Sequence, residues 1–433
     1  MGRAAKLWQG DLEALEFFLR TRMLAAGARA LEHLLQAAGE LTEAPICANH
    51  HLPCRMRSTG QRAKRLRSIL GQVRWQRSRY VCPDCGVVAY PADKALGVVG
   101  TAFSPASRRM MVRAGTRESF AEAAEDLYLY AQLSVDAKDV ERVAEAVGHQ
   151  IAQWMDLQGG RARCYEACQT VPPEAGPPAD TLYVSFDGTG VPMRAEELTV
   201  TQGKSPDGRA KTREVKLGCV FTQTTVDDHG QPVRDPASTT YVGAITDSNT
   251  FGHQIHAEAV RRGLRQARRV ALLTDGAAYN KSIAAEHFPR AIHIIDLYHA
   301  RQHLAESLDL LAAGKADHAL ASLCQRLLDD GQIEQLLRQI QTRLPHSGPR
   351  RKALLLQLHY FQDNANLMRY AHFRQCSLFI GSGVAEAGCK TLIGQRLKQS
   401  GMFWSVRGAN AIIAARCCLY SGRFEQFWED QAA

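Results

Sequence analysis

Three carboxylates stand where an acid needs a reason. Asp187 follows the apolar run LYVSF and precedes Gly-Thr-Gly, and Asp275 follows RRVALLT and again precedes Gly. An acid just past a central strand lies at the carboxyl edge of a sheet, where open α/β sheets bind ligands. Strand-Asp-Gly is equally the composition of a tight turn. The third acid, Glu386, sits in GSGVAEAGCKTLIGQRLKQSGMFWS. At about 100° per residue, Ala385, Cys389, Leu392, Ile393 and Leu397 form an apolar stripe, and Glu386 falls between Ile393 and Leu397 inside it. Glu386 is therefore predicted to point toward the core, where it must be protonated, paired with Lys390 or Arg396, or held on a metal. Three acids on separate elements suit phosphoryl transfer by two Mg²⁺ (or Mn²⁺) ions, hard cations that prefer carboxylate oxygens and need no covalent nucleophile.

A second constellation contains sulfur. Cys82-x-x-Cys85 faces the segment ICANHHLPC, in which Cys47 and His50 have Cys-x-x-His spacing. Cys47, His50, Cys82 and Cys85 are the predicted ligands of one structural Zn²⁺, with His51 and Cys54 as alternatives to His50. From Ala44 to Pro83 the chain carries Arg55, Arg57, Arg62, Lys64, Arg65, Arg67, Arg74, Arg77 and Arg79 and no Asp or Glu. Such a segment reads as a phosphate-binding surface, with Arg62, Lys64, Arg65, Arg67, Arg74, Arg77 and Arg79 along a strand pair that can follow a DNA groove. Trp75 and Tyr80 are read as core residues, with base stacking as the alternative.

The elements that must position these residues follow from the patterning. The chain has 433 residues and a net charge of +9, which favours polyanionic partners. Residues 8–38 have helical spacing, as a helix or helical hairpin, and RLRSILGQVRWQRSRYVC alternates like two short strands. Two helices over 118–150 follow, capped by Ser119 and by Ser134 or Asp136, the second ending near Gly148. VPPEAGPPAD then reads as a semi-rigid linker. Beyond it, three strands give way to alternating helix and strand, and 297–370 is helical almost throughout. The fold class is multidomain α+β: an N-terminal helical segment (1–43), a zinc ribbon (44–100), a helical, helix-turn-helix-like region (101–170), the linker (171–180), a mixed α/β sheet domain (181–296 and 381–425) and an all-α insertion (297–380). The helix VDAKDVERVAEAVG is acidic and a poor groove reader, which leaves DNA contact mainly to the ribbon. No uncharged apolar run is long enough to span a bilayer, and a cytoplasmic protein is expected.

The acids in SFDGTG and LTDGAAYN, the helical insertion and SGVAEAGCKTLIGQRLKQSGMFWS resemble bacterial insertion-sequence transposases of the ISKra type, relatives of the Mutator group with an RNase H-like DDE domain. The likeness runs over roughly residues 10–425. It implies that Asp187, Asp275 and Glu386 form a Mg²⁺-binding catalytic triad, and that Asp296 and His299 in IIDLYHARQHL are accessory residues; a capping Asp and an ordinary helical His are the alternative. It also implies double-stranded DNA as partner, both element ends and target, and a homo-oligomer. His303 is read as helix surface. Around the glutamate, Arg396, Lys398 and Trp404 are candidate DNA contacts near the cut, with a buried Trp as the alternative. The expected function is cleavage of element ends and joining of 3′-hydroxyls to target DNA. The rivals are a domesticated DNA-binding regulator without catalysis and a metal-dependent structure-specific nuclease.

Overall fold

The structure is a computed structural model and describes residues 11–39, 44–50, 53–172, 175–176, 178–198, 211–312 and 317–432. The chain divides into two compact units. One runs to Val147 and takes in the last residues from Trp428; the other is Gly148–Phe427. The proline-rich segment at 171–180 lies inside the second unit; Pro173 and Pro177 are outside the described residues.

In the first unit, residues 12–39 form one helix, α1 (Leu12–Gly39), with no hairpin break. Strands β1 (Arg57–Ser68) and β2 (Gly71–Val81) pair antiparallel around a two-residue turn. Gly71 at the turn has φ of +118°, a conformation that a side chain would strain. Leu66, Val73 and Trp75 pack with Ala28 and Leu35 of α1 and with Val98, so Trp75 is core as expected. The backbone N–H groups of Arg74 and Gln76 donate to Glu32 Oε1 (2.7 Å) and Gln36 Oε1 (3.0 Å) of α1. These side chains satisfy donors that a bare strand edge would offer to another chain.

After a short helical turn at Pro91–Ala95, three longer helices follow: α2 (Pro105–Arg117), α3 (Phe120–Ala131) and α4 (Ala137–Ala167). Ser119 and Glu122 close the capping box of α3, and Asp136 Oδ1 accepts the Asp139 N–H at the start of α4. α4 does not stop near Gly148. A Cβ at that position would collide with the Ala411 carbonyl, so Gly148 is a packing glycine and leaves the helix unbroken.

In the second unit, strands β3 (Thr181–Pro192), β4 (Thr212–Gln223), β5 (Thr240–Ala244), β6 (Arg269–Thr274) and β7 (Ile292–Ile295) form one mixed sheet in the order β5-β4-β3-β6-β7. β3 pairs antiparallel with β4, β4 antiparallel with β5, and β3-β6-β7 are parallel. Both faces are covered, which is why the central strands are apolar almost without alternation. Leu182, Val184 and Phe186 pack with Phe251 and Ile255 of α5 (Ser248–Arg261) and Ile283 of α6 (Ala278–His287). On the other face, Tyr183, Phe221 and Leu273 pack with a helical layer built from α7 (Leu297–Ala312), α8 (His318–Asp329), α9 (Ile333–Gln341), α10 (Pro349–Asn364) and α11 (Tyr370–Gln375). α12 (Gly383–Gly388) continues directly into a π-helical stretch, Cys389–Gly394. α13 (Val406–Tyr420) lies along β5, where the Asn410 amide accepts the Ile245 N–H (2.7 Å) and donates to its carbonyl (3.2 Å).

Candidate functional site

The parallel ladder between β3 and β6 has a constant offset of 88 residues, Thr181 with Arg269 through Ser185 with Leu273. Asp187 and Asp275 have the same separation and lie two residues beyond the last ladder pair, close enough for the Asp275 charge to act on Asp187. Asp187 is not at a strand exit, as expected from its glycines, because β3 runs on to Pro192 paired with β4. It stands where β6 ends and its own strand projects beyond. On the opposite face Gly188 leaves room for the Glu214 carboxylate, which a Cβ there would displace.

Asp187 is half-buried, and burial pushes its carboxyl above the usual range. The Gly188 N–H, 2.7 Å from Oδ1, pulls it down, the Asp275 charge pushes it further up, and the His299 charge and Cys389 thiol again lower it. Asp275 serves the turn with one oxygen, Oδ1 accepting the Ala277 N–H (2.9 Å) and Asn280 Nδ2 (2.5 Å); among the described residues its Oδ2 has no hydrogen-bond partner. Two half-buried like charges with an oxygen to spare are a donor set that fits a hard divalent cation.

Glu386 does not complete the set. Its side chain is 55% exposed and ion-paired with Lys390 Nζ at 2.7 Å, and among the described residues no group of converging metal-ligand atoms contains the three acids. The expected inward orientation fails because the helical wheel assumed one periodicity from Ala385 to Leu397. The π turn at Cys389–Gly394 widens the winding, so Ile393 and Leu397 do not mark the face on which Glu386 lies. The thiol that reaches Asp187 from this helix belongs to Cys389, one turn on.

Asp296 is a structural residue. It is 4% exposed, its Oδ1 caps α7 through the Tyr298 and His299 N–H groups (2.6 and 3.2 Å), and its Oδ2 accepts from the Ser382 N–H (2.5 Å) and hydroxyl just before α12. His299, by contrast, faces Asp187 closely enough for its charge to act on it. His303 is not surface: it stacks on Tyr360 at 3.7 Å, and the Tyr360 hydroxyl donates to the Asp275 carbonyl (3.2 Å). Lys398 is exposed, with Nζ donating to the Thr189 hydroxyl. Arg396 and Trp404 are not DNA contacts. Arg396 is fully buried over the Trp404 ring, and Trp404, 6% exposed, donates from Nε1 to the Leu397 carbonyl (3.0 Å). Sequence reasoning missed Tyr279, whose hydroxyl is held well above its usual range by burial and then by Glu214, Asp275 and Asp187, and Lys216, which lies over its ring. Only their neighbourhood in space marks them; their spacing carries no signal.

In the first unit, Cys47, His50, Cys82 and Cys85 come together with all ligand atoms within 4.8 Å of one another, the set predicted, and could hold a metal such as zinc. Cys47 and Cys85 sulfurs are 3.6 Å apart, close to the roughly 3.8 Å edge of a tetrahedron of sulfurs about 2.3 Å from zinc. The backbone N–H groups of Cys85 and then Asp84 bring the Cys82 thiol down to about 6, the direction that favours the thiolate a metal needs. Cys54 also lies 3.6 Å from Cys82, but its thiol donates to Asp84 Oδ2 (3.0 Å), which pushes it up to about 12 and favours His50 as fourth ligand. His51 lies outside the described residues.

The basic hairpin is divided between its faces. Lys64 and Arg77 point to the packed side, where Asp93, 4% exposed, accepts from Lys64 Nζ (3.1 Å) and Arg77 Nε (2.7 Å). Arg67 pairs with Asp139 (2.7 Å) and lies over the Phe103 ring. These three are held by protein groups, contrary to their expected place on DNA. Arg62, Arg65 and Arg74 are exposed, Arg79 is half-buried against Thr59, and Arg65 and Arg74 are direct cross-strand partners. Like charges set opposite each other repel unless an anion lies between them. Replacing Asp93 with Ala leaves two buried cations uncompensated and is expected to destabilise the first unit by about 3–5 kcal/mol. Urea denaturation checks this, and a loss below about 1 kcal/mol, the surface-pair range, would contradict it.

Among the described residues, no helix is long and apolar enough to cross a membrane. In comparisons with known proteins, no family model matches the chain and no curated sequence matches it significantly.

Proposed function

We propose that this chain is a DNA transposase of the DDE type, with an RNase H-like sheet, a zinc-ribbon DNA-binding module and Asp187 and Asp275 as the two fixed carboxylates of a Mg²⁺ site. The observation that carries this reading is the approach of those acids just beyond the last pair of the β3-β6 ladder, where the Asp275 and His299 charges both act on Asp187 at one end of a β5-β4-β3-β6-β7 sheet. That strand order, with a helical layer inserted before α12, supports the RNase H-like reading.

Bound there, Mg²⁺ supplies activation of an attacking oxygen and charge stabilisation of the leaving one. The protein's part is positional. Asp275 is fixed by its turn and by Asn280, and Asp187 by the pairing of β3 with β4. Lys398 stands beside Thr189, two residues past Asp187, where it can hold a phosphate of the scissile strand. Glu386 joins only after leaving Lys390, an exposed pair worth little. The DNA that flanks the coding region supplies the ends on which a multimer would act.

The test uses oligonucleotides with those ends, intact and pre-cleaved, in Mg²⁺. Cleavage of the first and joining of the second to target DNA is the expected result. Cleavage without joining would make the protein a nuclease, and end binding without cleavage would make it a regulator. Glu386→Gln is expected to lower both reactions by about a hundredfold or more, the effect of several kcal/mol of lost transition-state stabilisation. Unchanged rates would remove Glu386 from the site.

A further inference from the structure

Far along the sequence from the zinc ribbon, two adjacent helices of the second unit bring imidazoles and a carboxylate together. α5 carries His253 and His256, three residues apart and so on one face. α6 ends in Glu286 and His287. One ligand atom each from His253, Glu286 and His287 lies within 4.8 Å of the other two. The His253 and His287 rings are 4.8 Å apart, edge to face. Gly252 makes the approach possible, since a Cβ there would lie 2.7 Å from His287 Nε2.

The His287 side chain is 7% exposed, and its Nε2 is buried with no hydrogen-bond partner; Glu286 Oε1, at 3.8 Å, is too distant to serve. A buried polar atom left unpaired is costly and calls for an explanation. His256 is already engaged, Nε2 lying 3.4 Å from Glu166 Oε1, so it flanks the trio without joining it. His253 and Glu286 are exposed, which leaves the site open to ions from solvent.

We infer that His253, Glu286 and His287 bind a divalent transition ion of the Zn²⁺ class. Two imidazoles with one carboxylate suit Zn²⁺ and its borderline neighbours and disfavour Mg²⁺ or Ca²⁺, which take oxygen ligands. The ion ties the end of α6 to α5. The first turn of α6 is the one fastened to Asp275 through Ala277 and Asn280, so the tie stiffens the element next to that acid. The inference does not depend on the transposase reading, because its test measures metal binding alone.

The experiment is titration of the metal-stripped full chain with Zn²⁺ by equilibrium dialysis, and in parallel with Co²⁺ by visible absorption. The wild type is expected to retain one more equivalent of Zn²⁺ than either His253→Ala or Glu286→Ala. All three proteins should keep the same sulfur-to-cobalt charge-transfer band from the cysteine site. Equal stoichiometry in the wild type and both variants overturns the inference, as does a lost equivalent accompanied by loss of the charge-transfer band. Both substituted side chains are exposed, so a folding failure is not expected; circular dichroism identifies one, and Glu286→Gln then serves as the conservative replacement.

Discussion

Asp187→Asn is expected to remove metal-dependent DNA cleavage by about a thousandfold or more while raising the melting temperature of the metal-free protein. The first effect follows from losing a metal-binding oxygen, several kcal/mol of charge stabilisation at the transition state. The second follows from the direction of the Asp187 shift. Its folded-state carboxyl lies above its unfolded value, because burial and the Asp275 charge outweigh the Gly188 N–H and the His299 charge. The folded state therefore prefers the protonated form, and its stability is lost as pH rises from the unfolded value through the raised folded one. At pH 7, in a chelator, the charged acid is a net liability that Asn lacks. Calorimetry with and without Mg²⁺ reads both consequences: Mg²⁺ should stabilise the wild type and not Asp187→Asn. A variant that melts lower than wild type in chelator would show the carboxylate to be structural, and undiminished cleavage would exclude it from the chemistry.

The pair of aspartates stood out in the sequence because an apolar run ending in Asp-Gly occurs twice, although Asp187 lies within β3 and only Asp275 at a strand's carboxyl end. Their separation of 88 residues turned out to be the ladder offset itself, which no single-sequence pattern reveals. Glu386 misled for a local reason: a wheel drawn at one periodicity cannot pass through a π turn. The basic hairpin could have been read more closely. Period-two alternation puts Lys64 with Leu66 on one face, and opposite them Val73 with Trp75 and Arg77, so the face that buries Trp75 also takes Lys64 and Arg77. What alternation could not supply was Asp93, beyond the end of the hairpin, as their common partner. Arg396 and Trp404 illustrate the same limit, since a buried Arg over an indole has the composition of a DNA contact and is recognised only by its burial.

Stripping zinc by chelation, or replacing Cys82 with Ser, is expected to unfold the segment around the four ligands and to lower DNA affinity by about tenfold or more. The core next to the candidate ligands is Cys47, Met56, Tyr80 and Cys82, and two of these four belong to the candidate ligand set itself. So small a cluster does not hold a fold without a staple, and structural zinc contributes folding free energy directly, about 10–16 kcal/mol in small zinc domains. The hairpin beyond it has a separate core, built on Trp75 and α1, so the damage should stay near the metal. Limited proteolysis is the direct readout: new cuts close to the four ligands, with the Trp75 end of the hairpin and the second unit still protected. Arg65→Ala and Arg74→Ala separate folding from DNA binding, because zinc stays bound while the slope of log affinity against log salt falls by about one for each phosphate that is no longer neutralised. Full DNA affinity in the chelated protein would move DNA binding away from the metal-proximal end of the ribbon, and an unchanged salt slope in both Arg variants would move it away from the exposed face of the hairpin.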